Sequence, residues 1–174
     1  MNKLNKYLLP IIILILVLII GVLAIINKDT FEEKAQLNND AIFSVMNDGV
    51  EVRSYNMDEI AALGETTFKA NLKSSGNDPI EYEYSGVLLK TILEDAGVSL
   101  EGKDSAIVSA IDGYVVAIAI DKILDDDNVY LAYKRMGELI GTREEDGDGP
   151  YQMIISKDKF SQYWCKYAYS IDLQ

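Results

Sequence analysis

The feature that most constrains this chain is an almost unbroken apolar run, LLPIIILILVLIIGVLAII, at residues 8–26. At about 1.5 Å per helical residue the run extends roughly 28 Å, which matches the hydrocarbon thickness of a bilayer. Lys3 and Lys6 precede it and Asp29 follows it. Because positive charge stays on the cytoplasmic side, the sequence predicts a single transmembrane signal anchor with residues 1–7 in the cytoplasm.

The alternative to an anchor is a cleavable signal peptide. Such a peptide has an apolar region of about 7–15 residues that ends in a small-x-small cleavage site. The run here is longer, and Ala24 has no small residue two positions before or after it. We therefore expect an uncleaved anchor in the cell membrane, then a polar stalk at residues 27–40 and an extracytoplasmic domain at residues 41–174, displayed on a bacterial surface.

Charge and residue usage exclude several function classes for the predicted domain. The chain has 16 Lys and Arg against 28 Asp and Glu, and its first 28 residues hold three Lys and no acid, so the rest has a net charge of −15. Such a domain repels nucleic acid. The absence of histidine excludes His-ligated zinc and Ser-His-Asp catalysis. A single cysteine, Cys165, excludes an intramolecular disulfide.

Strand and helix patterns alternate irregularly along the domain, which predicts an α+β fold. Strands are expected at residues 41–45, 50–55, 66–72, 80–84, 129–135 and 151–155, and a short helix at 57–63. Asp48-Gly49 predicts a tight hairpin between the first two strands. Asp112-Gly113 predicts a second, central hairpin over residues 105–120, buried on both faces.

Two further elements are predicted from side-chain spacing. Apolar residues at helical spacing, including Leu89 and Leu93, predict a helix over residues 86–96 with Ser85 as its N-cap. Residues 163–171 are expected to form the closing strand, with Cys165 alternating between Trp164 and Lys166. In that position Cys165 is interpreted as a small, buried or near-surface residue.

The order of several short motifs resembles one known family. Residues 84–97, YSGVLLKTILEDAG, resemble the Y-x-G-V-x-L-x-x-L-L-x-x-A-G segment of the oxidoreductase molybdopterin-binding domain, which has the sulfite-oxidase-type fold. Later segments follow in the family's order: its D-G-Y turn at 112–114, its L-L-A-Y strand at 129–133, its N-G-E turn at 137–138, its G-G-P-L-R-L-V-x-P strand from 149 and its W-x-K-x-x-x-x-I strand at 164–171. The resemblance covers residues 42–173 and implies a mixed, partly barrel-like sheet with a few short helices.

The chain departs from the family at the residues that carry its chemistry. In the family's enzymes a cysteine thiolate ligates molybdenum, because a soft, charged donor suits that metal, and His and Arg side chains bind the pterin phosphate. The only cysteine here, Cys165, does not lie at the ligand position, and no histidine is present. The resemblance therefore implies the fold more strongly than the activity. No molybdenum is expected, although a molybdopterin-type pterin stays a candidate cofactor.

Two sets of residues are candidates for a site. Asp112 and Tyr114 lie at a predicted hairpin tip where they can line a pocket, or only form the turn, and Arg135 joins them as a candidate cofactor-binding residue. Four carboxylates in a Gly-rich loop are candidates for a calcium site, with a solvated loop as the alternative: Glu144, Glu145, Asp146 and Asp148.

Three functions remain open. The favoured one is a membrane-anchored, extracytoplasmic binding or interaction module with the molybdopterin-oxidoreductase-like fold and without catalysis, whose partner is a small molecule or another protein. The second is a redox enzyme or subunit that holds a pterin or another organic cofactor without a cysteine–molybdenum bond. The third is a calcium-dependent surface domain, which rests on the acidic loop alone.

Overall fold

A computed structural model describes residues 9–22, 40–73 and 78–174 of the chain. Residues 9–22 form helix α1, whose large apolar side chains are exposed, from 46% for Ile12 to 66% for Leu9. Within these three ranges, no helix combines the length and the apolarity that crossing a membrane requires. Residues 1–7, both ends of the predicted anchor at 8 and 23–26, and stalk residues 27–39 lie outside the described residues.

Residues 40–73 and 78–174 belong to one compact unit, built from two five-stranded sheets. The first sheet has the order β2-β1-β10-β5-β6, formed by β1 (Phe43–Asn47), β2 (Val50–Tyr55), β5 (Ser105–Ala110), β6 (Val115–Ala119) and β10 (Ala168–Leu173). Strands β1 and β10 run parallel, with Val45 opposite Ile171, and the other pairs in this sheet are antiparallel. Strand β10, at the C-terminal end of the chain, is therefore the middle strand of the first sheet and lies between β1 and β5.

The second sheet has the order β3-β4-β7-β8, and β9 also pairs with β7. It comprises β3 (Thr66–Leu72), β4 (Ile80–Leu88), β7 (Val129–Arg135), β8 (Glu138–Leu139) and β9 (Gln152–Ile155). Short helices connect the strands: α2 (Met57–Ala62), α3 (Leu89–Asp95), α4 (Ile120–Leu124) and two 3-10 helices at Arg143–Glu145 and Ser161–Tyr163. This mixed, curled half-barrel with few short helices confirms the coarse fold class.

The first hairpin forms as predicted. Asp48 and Gly49 have φ angles of 50° and 78°, the left-handed conformation that a two-residue hairpin turn requires at both positions. Helix α2 begins where its sequence indicates, because the Asn56 side chain accepts from Glu59 N at 2.9 Å and the Glu59 carboxylate accepts from Asn56 N at 2.8 Å. The contacts that define this turn and this helix start are made between residues at most three positions apart in the sequence.

The predicted start of the helix at Ser85 is wrong. Residues 85–88 continue strand β4 and pair with β7, so that α3 begins at Leu89. Gly86 makes this pairing possible, because an added Cβ would lie 2.3 Å from the Leu131 carbonyl oxygen. The predicted apolar face is confirmed at its centre, where Leu89 and Leu93 are fully buried.

The hairpin over residues 105–120 forms, but it is not central. Strand β6 is the outer strand of its sheet, and Val115, Ala117 and Ala119 are exposed while Val116 and Ile118 are buried. One face of this hairpin is therefore open to solvent, and the prediction that both faces are buried is wrong.

The predicted closing strand at 163–171 is displaced. Strand β10 begins only at Ala168, and Cys165 forms an isolated bridge with Met153 of β9. The segment before β10 thus crosses from the first sheet to the edge of the second. Cys165 is fully buried there, as its interpretation as a small core residue predicted.

Candidate functional site

A cleft of about 450 Å³ opens where strand ends and turns from both sheets meet. Its lining residues come from the end of β3, the β5–β6 turn, the start of β9 and the segment before β10: Leu72, Lys73, Asp112, Tyr114, Gln152, Ser161, Trp164 and Lys166. The size is within the range of small-molecule sites, which lie between about 300 and 1,000 Å³.

The β5–β6 turn supplies Asp112 and Tyr114, both of which the sequence predicted as pocket residues. The Asp112 carboxylate accepts a hydrogen bond from Tyr114 N at 3.0 Å, and Gly113 takes a φ of 89°. The Tyr114 hydroxyl donates to the Gln162 carbonyl at 3.2 Å, and burial raises the pKa of this phenol. The bond from Tyr114 ties the turn to the 3-10 helix at Ser161–Tyr163.

Lys73 is held at the cleft by its backbone. Its N–H donates to Ser161 Oγ at 3.0 Å, and Ser161 Oγ donates back to the Lys73 carbonyl at 3.0 Å. The Lys73 ammonium lies 4.8 Å from the centroid of the Phe160 ring. Among residues 9–22, 40–73 and 78–174, no carboxylate lies within ion-pair distance of Lys73, which lines the cleft.

Lys166 is the second cation of the cleft, and a carboxylate holds it in place. Lys166 Nζ lies 2.9 Å from Asp148 Oδ1, while Arg135 Nη1 lies 3.1 Å from Asp148 Oδ2. The guanidinium of Arg135 also lies over the Tyr82 ring. Arg135, the third predicted cofactor residue, therefore does not line the cleft and reaches it only through Asp148 and Lys166.

Gln152 has the least satisfied side chain in the cleft wall. It is 1% exposed, and neither Nε2 nor Oε1 has a hydrogen-bond partner among the described residues. Burying a polar amide without a partner costs about 1–3 kcal/mol for each group. A wall position that carries this cost is a candidate for contact with a bound molecule or an ordered water.

Cys165 lies behind the cleft and not in its lining. Its side chain is fully buried, and its backbone N–H and carbonyl bond to Met153 at 3.0 and 2.8 Å. Burial, with a smaller contribution from the Asp112 carboxylate, raises the pKa of the thiol to about 12. At neutral pH and with no metal bound, this sulfur is a protonated thiol that no cleft ligand can contact directly.

The acidic loop does not bring its carboxylates together. Glu145 accepts from Thr142 N at 2.8 Å in a capping box, and Asp148 is engaged with Lys166 and Arg135. Glu144 is exposed, and Asp146 ends the 3-10 helix with a left-handed φ of 58°. In the part of the chain that the structure describes, no three His, Cys, Asp or Glu side chains are grouped to hold a metal ion. The predicted calcium site gains no support from these contacts.

A second cleft, of about 460 Å³, lies beside this loop. Its walls are mainly apolar, and its one charged lining residue, Glu145, is already bound to Thr142. The first cleft has more charged side chains that could bind a polar ligand, namely Lys73, Asp112 and Lys166.

Three cleft residues were missed by sequence reasoning. In the sequence Lys73 and Lys166 look like ordinary surface lysines. They line the same cleft only after the fold has brought their two segments together, which the sequence around each lysine does not show. Gln152 did carry a signal: it is the one polar residue in strand β9, whose sequence is Gln-Met-Ile-Ile. A polar residue inside a buried strand requires either a partner or a function.

The model of the family described as oxidoreductase molybdopterin binding domain matches residues 37–173. No curated protein matches the chain.

Among solved structures, the fold is similar to the crystal structure of the sulfane dehydrogenase SoxCD from Paracoccus pantotrophus. The TM-score is 0.62 and the sequence identity is 21%. The match covers 77% of this chain and 38% of the SoxCD chain, so this chain spans well under half of that protein. At this identity the likeness establishes the fold alone.

Proposed function

This chain belongs to the oxidoreductase molybdopterin-binding domain family, and from that premise we propose that it is a membrane-anchored, extracytoplasmic module that binds a small ligand without a cysteine–molybdenum bond. The observation that carries this proposal is the state of the only cysteine. Cys165 is fully buried, is absent from the cleft lining and is held as a neutral thiol. The residues present therefore do not fit a thiolate-ligated metal, and no catalytic step is assigned to one.

The cleft supports the binding half of the proposal. It collects two lysine side chains, an aspartate and two aromatic rings around a volume of about 450 Å³. Small-molecule sites are typically partly apolar pockets in which a small number of polar groups point toward the ligand.

Native mass spectrometry of the full chain, purified in detergent from its own host, tests the proposal. We expect an organic mass on the wild type that is lost when Lys73→Gln and Lys166→Gln are combined. Lys159→Gln is the matched control, because Lys159 also contacts the Phe160 ring but does not line the cleft. An added mass with the isotope pattern of molybdenum that disappears in Cys165→Ala would contradict the proposal.

A second candidate, a redox enzyme with an organic cofactor, follows from the same cleft. Trp164 and Tyr114 flank it, and aromatic walls suit a planar, conjugated group. The absorption spectrum of the purified chain separates the two functions. A visible band that bleaches on reduction favours the enzyme, whereas no redox-active band favours the binding module.

Membrane anchoring is part of the proposal and rests on the apolar sequence at residues 8–26 and on the exposed apolar side chains of α1. Protease added to intact cells or protoplasts should then degrade residues 37–174. A domain that stays protected in intact cells, or that is released into the medium, would remove this part of the proposal.

A further inference from the structure

Strand β6 is an edge strand whose outer side has no partner strand. Among the described strands it pairs with β5 alone. Ala110 N donates to the Tyr114 carbonyl at 2.9 Å, and Ile120 N donates to the Asp104 carbonyl at 3.2 Å. Because main-chain groups alternate in direction along a strand, the even-numbered residues of β6 face β5. The N–H and C=O groups of its odd-numbered residues therefore point away from the sheet: Val115, Ala117 and Ala119.

The other sheet edges carry features that discourage the pairing of a further strand. Charged side chains lie on β2 and β3, where Arg53 and Lys69 each form an ion pair. Strand β8 has only two residues, and β9 forms a bridge with Cys165 on its outer side. Charges, short length and covering segments are common means of protecting a sheet edge. Strand β6 has none of these, since residues 113–120 contain no charged side chain.

The surface beside β6 is apolar and open. Val115 is 55% exposed, and Ala117 and Ala119 are exposed on the same side of the strand. A hollow of about 310 Å³ lies beside the two alanines, and Tyr163, which is 49% exposed, forms part of its wall. An incoming strand therefore has room to bind, and it would cover apolar side chains while it satisfies main-chain groups.

A second copy of this chain fits this edge in hydrogen bonding and in charge. An antiparallel pair centred on Ala117 places Val115 of each copy opposite Ala119 of the other, so that all three outward-pointing residues form hydrogen-bonded pairs. The chain beyond residue 28 has a net charge of −15, so two copies repel one another over most of their surface. The neutral run at 113–120 is an exception, because pairing there brings no like charges face to face.

We propose that β6 joins two copies of this chain edge to edge, in an antiparallel pair that makes their first sheets into one continuous sheet. The two-fold axis passes between the two copies of Ala117. Both copies use the same surface, as in the two-fold dimers that are the commonest soluble oligomers. The proposal is independent of ligand binding, since Val115–Ala119 do not line the first cleft.

Disulfide cross-linking of the full chain in detergent micelles, with copper phenanthroline as the oxidant, tests the register of the pair. Opposed residues of a hydrogen-bonded antiparallel pair have Cα atoms about 5.5 Å apart, within the range that a disulfide spans. Ala117→Cys should therefore form a covalent dimer. Ala119→Cys alone should not, because its counterpart lies about 13 Å away along the strand. A mixture of Val115→Cys and Ala119→Cys should cross-link again.

Val52→Cys is the matched control for cross-linking. Val52 is 47% exposed on β2, which is the opposite edge of the same sheet. Native Cys165 is fully buried and is present in every sample, so it contributes the same background to each. Thermal melts should show that these substitutions at exposed positions leave the folded domain intact.

Light scattering of a dilution series in micelles measures the dimer without any substitution. We expect the wild type to dimerise, with a Kd that rises about fivefold or more in Ala117→Lys, because two ammonium groups then lie opposite each other. The Kd should stay unchanged in Val52→Lys. Added NaCl should lower the Kd of the wild type, because it screens the repulsion between two acidic domains.

Three results would overturn the proposal. The first is a wild type that stays monomeric throughout the dilution series. The second is an Ala117→Cys variant that cross-links no more than Val52→Cys, or an Ala119→Cys variant that cross-links equally well. The third is oxidation in host membranes that joins Ala117→Cys to a different protein and not to a second copy, which would assign the edge to another partner.

Discussion

The buried thiol of Cys165 has a consequence for stability that can be measured at a single residue. Its pKa is raised from 9.0 to about 12 in the folded chain, chiefly by burial. Above pH 9 the unfolded chain loses this proton while the folded chain keeps it. The contribution of the Cys165 thiol to the free energy of unfolding is therefore fully present below pH 9 and is lost as pH rises toward 12. Between these values the free energy of unfolding falls with a slope that approaches about 1.4 kcal/mol per pH unit.

Denaturant unfolding of the wild type and Cys165→Ala between about pH 8 and pH 10 measures this effect. The variant should lose about 1–2 kcal/mol at neutral pH through packing, and its stability should fall less steeply than that of the wild type as pH rises. Tyr55, Tyr133 and Tyr151, whose pKa values burial raises, add a further decline above pH 10 in both proteins. Parallel curves would mean that the thiol is not buried as a neutral group.

Gly86 is a second position where one residue decides the local structure. An alanine Cβ would lie 2.3 Å from the Leu131 carbonyl oxygen and 2.6 Å from Ala132 Cα, both backbone atoms of β7. Gly86→Ala should therefore cost several kcal/mol, because the two central strands must separate.

Gly97→Ala is the matched control for this prediction. Gly97 has a φ of +73° with open space around it, so alanine there should cost only about 1 kcal/mol through backbone strain. Thermal melts that rank the two variants equally would contradict the close approach of β4 and β7.

At the level of elements, helix α3 packs against strands β4 and β7 of the second sheet. Leu93 is fully buried, whereas its neighbour Glu94 is exposed. Leu93→Asp places an unpaired carboxylate in the core and should cost several kcal/mol, enough to unfold a domain of ordinary stability. Glu94→Gln should melt near the wild type. A Leu93→Asp variant that melts within a few degrees of it would show that this face is wrong.

Elements defined by local chemistry were predictable from the sequence. The Asp48-Gly49 turn and the start of the short helix at Met57 involve residues only a few positions apart, and both form as expected. The extension of β4 through residues 85–88 was not predictable, because pairing with β7 overrides a locally acceptable helix start. The displaced closing strand has the same cause, since Cys165 pairs with Met153 instead of continuing β10.

The residues of the candidate site also fall into two groups, those that the sequence predicted and those that it did not. Asp112 and Tyr114 were found because a hairpin tip projects side chains regardless of the rest of the fold. Lys73 and Gln152 were not found, because they become neighbours only when β3 and β9 take their places in the second sheet. Sequence patterns predict helices, strands and turns. They do not predict which residues will line a cleft between two sheets, because that depends on how the strands are ordered and paired.

At the scale of the whole molecule, the family's fold is retained while its metal-binding chemistry is not supported by the residues present. The two-sheet architecture is built from residues within 40–73 and 78–174, and the family model matches residues 37–173. The chain nevertheless has no histidine, and its single cysteine is fully buried and does not line the cleft. A fold does not by itself establish an activity, because packing and site chemistry depend on different residues. The cleft with Gln152 and the two lysines is accordingly interpreted as a metal-free binding site.

The molybdenum-to-protein ratio tests this interpretation most directly. It should be measured by elemental analysis on the full chain purified from its own host, alongside Cys165→Ala purified in the same way. We predict that molybdenum is far below one atom per chain in both proteins, because the only cysteine is fully buried and does not line the cleft. One molybdenum per wild-type chain that is lost in Cys165→Ala would contradict the account.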